Sequence, residues 1–217
     1  MEDNTRIVSI KFAAGRFFVL FSGRERGIPV SEDLVHKHRL KEGIILTAPQ
    51  VAQLEREAER AECERVVVRL LGLREHSIGE LRTKLARRKF DKDVIQMTVT
   101  AYIEKGLLDD AHFAMLSAQS LLARNPVGKS YLTAYLQKKQ VSRDIAVQTV
   151  DLLLKESDET DLAVQSLRRR WRTYSQFEVE TARSKAYTYL GRRGIGYSAA
   201  KAAFDKLLSE ETKDNDR

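Results

Sequence analysis

The sequence predicts a mainly α-helical protein with a small β unit at its N-terminus. Three observations predict this fold class: a complete helical module from Ser77 to Ala114, two later stretches with the same apolar spacing, and β-prone runs confined to residues 5–46. Modules of this size cannot each bury an apolar face alone, so they stack on their neighbours. We therefore expect an elongated array of three tandem three-helix modules, preceded by the β unit and a long connecting helix.

The first module contains the start and stop signals of three helices. An S-x-x-E capping box begins at Ser77, where the serine hydroxyl accepts from a backbone N–H of the first turn. Asp91 is the predicted N-cap of a second helix, which stops at Gly106. Asp109 and Asp110 open a third helix, because acidic side chains favour the positive end of the helix dipole.

The repetition is clearest at one helix end of each module. The segments LARRKF at 85–90, LQKKQV at 136–141 and LGRRGI at 190–195 are separated by shifts of 51 and 54 residues. Each places two basic residues near a helix end, where cations complement the negative end of the dipole, and an apolar residue follows. The basic pairs therefore indicate three copies of one structural unit.

The predicted boundaries follow these repeats. They give a β unit at 1–48, a connecting helix at 49–72, a first three-helix module at 73–120, a second at 121–172, and a third helical module with a polar tail at 173–217. In the β unit, a hairpin turns at residues 13–16, Ser31 caps a short helix, and residues 44–46 add a strand to a sheet of two or three strands. Asn125 followed by Pro126 predicts that a new helix starts immediately after Arg124.

The basic charge is concentrated in the repeats. The formal net charge is +7, made up of −1 for residues 1–64, +6 for residues 65–157 and +2 for residues 158–217. Such an excess favours polyanionic partners or acidic protein surfaces, although a solvated basic face without a special partner has the same composition.

Several function classes lack their usual signals. No apolar run reaches the roughly 18 residues of a membrane span, and no signal-peptide pattern opens the chain, so we expect a cytoplasmic protein. Cys63 is the single cysteine and is interpreted as a packed thiol rather than a nucleophile. His36 and His38 are spaced i, i+2 and make a poor metal pair. With no Walker loop or HExxH motif, we expect no enzyme activity, no metal and no cofactor.

A cluster of arginines surrounds the single tryptophan. Residues 168–172 read RRRWR, and an indole between guanidinium groups can stack on a nucleic-acid base. Trp171 also lies at helical spacing from Leu167, which is typical of a side chain anchored in a core. We favour the core interpretation.

Four motifs carry a resemblance to a known family. They are S-x-x-EL-x3-L at Ser77 to Leu85, EKGLLDDAHFA at Glu104 to Ala114, R-x3-G at Arg124 and Gly128 with Leu136-x-x-Lys139 after it, and LGRRGI at Leu190 to Ile195. With the N-terminal hairpin, the LKEG element at Leu40 to Gly43 and the long helix, they closely resemble the RecX family of recombinase regulators. The resemblance covers essentially the whole chain.

The resemblance implies a function without catalysis. Proteins of this kind bind the RecA recombinase in the helical groove of the filament that RecA forms on single-stranded DNA. They suppress its ATPase, strand-exchange and co-protease activities, and so modulate recombination, DNA repair and the SOS response. Many also bind single- or double-stranded DNA weakly. We expect a monomeric inhibitor of RecA; whether it caps filament ends, coats the groove or promotes disassembly, and what the β unit contacts, stays open.

One departure from the family pattern concerns the helix ends. The family usually has glycine after the lysine of the second repeat, where this chain has Gln140, and the first repeat has Lys89 before Phe90. Glycine permits a left-handed helix stop at little cost. We therefore expect these two joints to close in some other way.

The predicted RecA- or DNA-binding residues are the cations of the helix ends and of the arginine cluster. They are Arg87, Arg88, Lys89, Arg124, Lys138, Lys139, Arg168, Arg169, Arg170, Arg172, Arg192 and Arg193. The residues of the 168–172 cluster rank lower, because that cluster can pack at a joint. A simpler hypothesis is that these cations only complement helix dipoles, worth a few tenths of a kcal/mol each. Two other functions stay open: a protein that binds DNA directly, and a structural adaptor that binds neither.

Overall fold

The computed structural model of this chain describes residues 5–155 and 157–215, with the backbone alone at 214 and 215. The first four residues of the predicted β unit and the last two of the predicted tail lie outside these ranges. The elements are β1 (Thr5–Ala13), β2 (Arg16–Phe21), β3 (Ile28–Val30), α1 (Glu32–Lys37), β4 (Ile45–Leu46), α2 (Ala48–Leu73), α3 (Ile78–Arg87), α4 (Lys92–Glu104), α5 (Asp110–Arg124), α6 (Lys129–Lys138), α7 (Arg143–Leu153), α8 (Glu159–Tyr174), α9 (Val179–Gly191) and α10 (Tyr197–Asn215). The predicted class, mainly α with a small N-terminal sheet and a long helix after it, is confirmed.

The described residues divide into two compact units. Residues up to His76 together with Leu81–Leu108 form one, and Ser77–Glu80 together with the residues from Asp109 onward form the other. Among the described residues, no helix is both long and apolar enough to cross a membrane.

The first unit opens with a four-stranded antiparallel sheet in the order β3-β2-β1-β4. The hairpin turn is confirmed, with left-handed backbone at Ala14 and Gly15, and Ser31 caps α1. The prediction of two or three strands was wrong because β3 is only three residues long and contains Pro29. A proline can lie on an edge strand, where its missing N–H needs no ladder partner.

One face of the sheet packs on α2. Buried side chains of β1, β2 and β3, such as Ile7, Val19 and Val30, form one cluster with Val51 and Leu54 of α2. This contact supplies the support that a sheet of such short strands needs. Further along α2 the buried face continues through Cys63 and Val67, and α2 contacts α4.

The second unit contains two helical clusters. One joins α5, α6 and α7 around Ala118, Leu132 and Val150. The other joins α8, α9 and α10 around Leu167 and Leu190, with Phe204 among the residues that have no exposed surface. The predicted boundaries placed α5 and α8 with the helices before them, whereas these clusters pack α5 and α8 with the helices that follow. The repeat pattern shows where each copy recurs but not which flanking helix fills its core.

One local prediction for the second unit was wrong. Asn125 is the C-cap of α5 and α6 begins only at Lys129, with Gly128 as its N-cap, so the Asn-Pro pair lies in the connection. The polar tail continues α10 as far as Asn215.

Candidate functional site

The three basic helix ends share one backbone conformation. Lys89, Gln140 and Gly194 occupy equivalent positions, and all three have left-handed backbone, with φ of 65°, 62° and 72°. The expectation that the joints at Lys89 and Gln140 close differently was wrong. A non-glycine residue pays about 1 kcal/mol for this conformation, and the surrounding contacts of the helix end repay it.

The hydrogen bonds confirm that the second and third joints are the same structure. Gln140 N donates to Gln137 O, and Val141 N reaches back to Leu136 O over 3.2 Å. In the third joint Ile195 N donates to Leu190 O over 3.1 Å in the same manner. This long backward bond is the Schellman closure of a helix C-terminus, and it fixes the direction of the basic pair before it.

In the second and third joints, the second residue of the basic pair contacts an aromatic ring of its own helix. Lys139 lies half-buried with its Nζ 5.7 Å from the centre of the Tyr135 ring, and the Arg193 guanidinium lies 4.6 Å from that of Tyr189. Tyr135 and Tyr189 are themselves equivalent positions, 54 residues apart. Arg88, the counterpart in the first joint, is exposed. Lys139 and Arg193 therefore stabilise their own helix ends by cation–π contact.

The backbone of these joints docks on the starts of earlier helices in the second unit. Ser77 Oγ donates to Lys139 O over 2.5 Å, and Gly128 N donates to Arg193 O over 2.9 Å. The approach is close enough to require glycine: an added Cβ at Gly79 would collide with Gln140 O, and one at Gly128 would collide with Gly194 O. The end of α6 thus meets the first turn of α3, and the end of α9 meets the first turn of α6.

The first residue of each pair points into solvent. Arg87, Lys138 and Arg192 are exposed, and among the described residues none of them is paired with a carboxylate. Lys89, one position beyond the first pair, is also exposed. The structure therefore separates the predicted residues into cations that hold the joints and cations that are available to a partner.

The remaining predicted cations differ in how they are held. Arg124 folds back on its own helix, with Nε 3.1 Å from Ser120 O, and its carbonyl accepts from Arg169. Arg168 pairs with Glu210 at 2.8 Å, whereas Arg172 is exposed. These contacts leave the 168–172 cluster as a mixture of structural and exposed side chains.

Trp171 is confirmed as a core anchor. Its ring lies edge-on to Phe204 at 5.4 Å between centroids, and its Nε1 donates to Glu211 Oε2 over 3.1 Å. An indole held on both its ring and its N–H is positioned by the protein rather than offered to a base.

Arg170 belongs to a basic cleft that the sequence did not predict. The cleft lies between α8 and α9 and has a volume of about 440 Å³. Its lining residues are Arg170, Tyr174, Ser184, Lys185, Thr188, Tyr189 and Arg192. The signal in the sequence was weak, because Lys185 and the hydroxyl residues of α9 repeat at helical spacing without forming a motif.

The acidic pair at the start of α5, His36 and His38 form hydrogen bonds or ion pairs within the protein. Asp109 caps α5 by accepting from Ala111 N and His112 N, and Asp110 accepts from Ile78 N over 2.7 Å. His38 Nε2 lies 2.8 Å from Glu57 Oε2, and His36 lies 3.8 Å from Glu32. The hydrogen bonds from Lys37 and His38 lower the pKa of Glu57 to about 2. These groups cap helices and join α1 to α2.

Cys63 is confirmed as a packed thiol. The side chain has no exposed surface, and burial raises the pKa of the thiol above its ordinary value. The thiolate is the reactive form, so a raised pKa at a buried position makes this cysteine inert.

Comparisons with known proteins agree with this architecture. A family model described as "RecX, first three-helix domain" matches residues 55–100. The regulatory protein RecX of Chlorobium phaeobacteroides is 30% identical over 143 residues, which is 66% of this chain and 91% of the relative. That of Syntrophotalea carbinolica is 29% identical over 71% of this chain and 99% of its own.

Solved structures share the fold. A crystal structure of regulatory protein RecX superposes with a TM-score of 0.68 at 17% identity, covering 93% of this chain and 99% of the other. The crystal structure of RecX from Lactobacillus salivarius gives 0.60 at 16% identity over 69% and 96%. The identity and coverage of the Chlorobium relative, together with the family match, carry the assignment. The chain belongs to the RecX family of regulatory proteins.

Proposed function

We propose that this protein is a negative regulator of the RecA recombinase. In this proposal it binds as a monomer, in the cytoplasm, in the groove of the RecA filament on single-stranded DNA. There it suppresses ATPase, strand-exchange and co-protease activity, and thereby modulates recombination, DNA repair and the SOS response. It acts by binding, without a cofactor or metal.

The observation that supports this proposal best is the recurrence of one exposed cation in one setting. Arg87, Lys138 and Arg192 each precede a left-handed joint, and each lacks a carboxylate partner among the described residues. A cation without a local counter-charge is attracted to acidic protein surfaces and to phosphates. Three copies of the same group suit a partner that itself repeats, such as a filament of identical protomers.

The joints explain why these positions are suited to recognition. Lys139 and Arg193 hold the helix ends through ring contacts, and the docked carbonyls beside them fix the backbone. A side chain one residue before such an anchored point starts from a fixed Cα. Less conformational freedom is then lost on binding than from a mobile loop.

The test removes these three charges without disturbing the fold. The variant carries Arg87→Gln, Lys138→Gln and Arg192→Gln, because glutamine keeps helix propensity and adds no anion at a helix C-terminus. A matched control carries Arg60→Gln, Lys129→Gln and Arg183→Gln, whose cations are already paired with Glu64, Asp151 and Glu180. Both variants lose the same net charge.

The readout is the single-strand-dependent ATPase of RecA. We expect the helix-end variant to need about tenfold more protein for half-inhibition, since exposed interfacial charges act mainly on association. The control variant should remain close to the parent. Equal weakening of both variants, or full inhibition by the helix-end variant, would contradict the assignment of these residues.

A protein that acts directly on DNA is the second candidate function. The basic cleft between α8 and α9 favours it, because no carboxylate of the described residues lines this cleft. Tight, sequence-selective binding to naked DNA, with no effect on RecA, would move the conclusion to this candidate.

A further inference from the structure

The side of the sheet that is turned away from α2 carries apolar side chains. On the other side, the pair of Ile10 and Val19 packs toward α2. Because successive residues of a strand point to opposite sides, the alternate pairs point outward. This outer face contains the pairs Ser9–Leu20 and Lys11–Phe18 between β1 and β2, Phe18–Pro29 between β2 and β3, and Arg6–Ile45 between β1 and β4.

Apolar exposure on the outer face is unusual for an antiparallel sheet. Such a sheet normally buries one side and presents polar side chains on the other. Here Val8, the extra residue at the register shift of β1, is 52% exposed, and Ile45 is 57% exposed. On the neighbouring strand β2, Phe18 and Leu20 add half-buried apolar surface. An apolar surface left uncovered in this way is typical of a site that binds a partner.

The cations of the outer face have no counter-charge. Arg6 and Lys11 are exposed, and among the described residues no ion pair joins either of them to a carboxylate. The four strands contain no aspartate or glutamate. Arg16, at the hairpin end, differs because it pairs with Glu62 of α2 at 3.1 Å. Glu42 accepts a backbone N–H of β1 at the edge of the sheet. The outer face therefore carries two uncompensated positive charges.

These two cations lie at opposite ends of the apolar surface. Arg6 is paired with Ile45 on β4. Lys11 is paired with Phe18 on β2, so each cation has an apolar neighbour across the strands. The two cations are five positions apart along β1, which is about 16 Å in an extended strand, and Val8 lies between them. This arrangement fits a short segment that has apolar side chains at its centre and acidic side chains on both sides of them.

Two other occupants fit the outer face less well. A second copy of this chain would bring its own Arg6 and Lys11 to the interface, and like charges there oppose association. Single-stranded nucleic acid needs aromatic rings on which its bases stack. Phe18 is the one aromatic residue of outward register in the described strands, and the Arg16 guanidinium already lies 5.9 Å from the centre of its ring. The remaining apolar side chains are aliphatic, which favours a protein segment.

We propose that the outer face of the sheet is a docking surface for an acidic, apolar peptide segment of a partner protein. Val8 and Ile45 are its apolar contacts, and Arg6 and Lys11 are its charge contacts. The inference goes beyond the proposed function, because the outer face lies in the first unit and carries none of the helix-end cations. It gives the β unit a binding role of its own.

The probe is a fluorescein-labelled synthetic peptide of about 10 residues, long enough to cross the outer face, with leucine and phenylalanine at its centre and aspartates on both sides. Two matched peptides replace every aspartate by lysine, or every apolar residue by serine. Binding to the full chain is measured by fluorescence anisotropy at about 0.15 M salt, without RecA or nucleic acid. We expect saturable binding of the acidic, apolar peptide and about tenfold weaker binding of each matched peptide. Equal binding of all three peptides would overturn the inference.

The charge variant carries Arg6→Gln and Lys11→Gln. It should bind the acidic, apolar peptide about tenfold more weakly, because the two charge contacts are lost. The matched control carries Arg56→Gln and Arg60→Gln on α2, which packs against the other side of the sheet, and it should bind like the parent. An equal loss in both variants would show that only overall charge matters and would overturn the inference.

The apolar variant carries Val8→Thr and Ile45→Thr, because threonine keeps the branched shape and the strand preference of the residues it replaces. Losing two apolar groups from the contact should weaken binding about tenfold. The control carries Val68→Thr and Val147→Thr, at exposed positions of α2 and α7. Unchanged binding in the apolar variant would contradict the proposed contacts.

A charge-reversed variant separates loss of the contact from loss of the fold. Arg6→Glu with Lys11→Glu should transfer the preference from the aspartate peptide to the lysine peptide, and unfolding cannot produce such a gain. Absence of the gain would overturn the inference. Binding of oligothymidylate, or self-association, that is lost in the apolar variant would assign the outer face to another occupant and would also overturn it. None of these measurements contains RecA, so their failure leaves the proposed function standing.

Discussion

The ends of α6 and α9 dock in the same way but place different residues at the contact. At the end of α9, glycine lies on both sides, with Gly194 against the first turn of α6 and Gly128 opposite it. At the end of α6, Gly79 lies on one side only, and Gln140 takes the left-handed position on the other. The close approach therefore needs one residue without a Cβ, here Gly79, whereas the left-handed turn opposite it tolerates a side chain.

We expect the largest loss of stability from a substitution at Gly194. Gly194→Ala combines a left-handed backbone with a Cβ that would collide with Ser130 Oγ and Tyr131 N, so we expect a loss of about 3 kcal/mol in the free energy of unfolding. Gly191→Ala is the control, because a Cβ there meets no neighbouring atom. Chemical denaturation measures both, and equal stabilities would contradict the docking described for α9.

The two glycines at helix starts should rank in order of crowding. Gly128→Ala places its Cβ against the backbone of Gly194, and Gly79→Ala against that of Gln140, where the approach is less close. We expect losses of about 2.5 and about 2 kcal/mol respectively. Gly72→Ala, in the open interior of α2, should instead stabilise by about 0.5–1 kcal/mol. A reversal of sign at any of the three would show that the close approach is not what fixes these positions.

Ser77 tests the hydrogen bond that accompanies the contact at the end of α6. Its hydroxyl donates to Lys139 O and accepts from Glu80 N. Ser77→Ala should therefore cost about 1–2 kcal/mol, because one partly buried acceptor and one helix-start donor lose their partners. Amide hydrogen exchange should show the loss at the first turn of α3. Unchanged protection there would contradict a structural role for this hydroxyl.

Substitutions at Lys89 measure the free-energy cost of the left-handed backbone at the first joint. Lys89→Gly should stabilise the protein by about 1 kcal/mol relative to Lys89→Ala, because only glycine adopts a positive φ at little cost. Both substitutions remove the same charge, so their difference in the midpoint of denaturation reports the backbone alone. Equal midpoints would mean that the backbone at this joint relaxes.

Acid should lower the stability of the first unit selectively, by an amount similar to that expected at Lys89. The pKa of Glu57 falls from its ordinary value of 4.5 to about 2. The stability contributed by Glu57 is therefore present above pH 4.5 and is lost as the pH falls from about 4.5 to about 2. Glu57→Gln should cost about 1 kcal/mol at neutral pH, since solvent screening discounts the shift, and the difference from the parent should vanish near pH 2. Hydrogen exchange in α1 and α2 measures this, and a pH-independent difference would contradict it.

The sequence predicted those features that depend on local signals. Ser77 and Asp91 cap their helices as expected, Gly106 has positive φ, and the basic pairs fall at equivalent helix ends. These outcomes follow from hydrogen bonds within one turn, which single residues determine.

The features that it did not predict depend on contacts between distant segments. Nothing local distinguishes Gly128 as a docking glycine, and the left-handed backbone of Gln140 opposes its own preference. The grouping of α5 and α8 with the helices after them and the cleft between α8 and α9 likewise arise from packing. The roles of the predicted cations also needed the structure. It shows that Lys139 and Arg193 hold the joints, whereas Lys138 and Arg192 face solvent.

Regulation of RecA is tested directly by titrating this protein into the ATPase reaction of RecA on single-stranded DNA at fixed physiological salt, with filament length followed in parallel. We predict inhibition, and inhibition far below one protein per RecA protomer would favour capping of filament ends or disassembly over coating of the groove. An unchanged rate and an unchanged filament length at stoichiometric excess would contradict it.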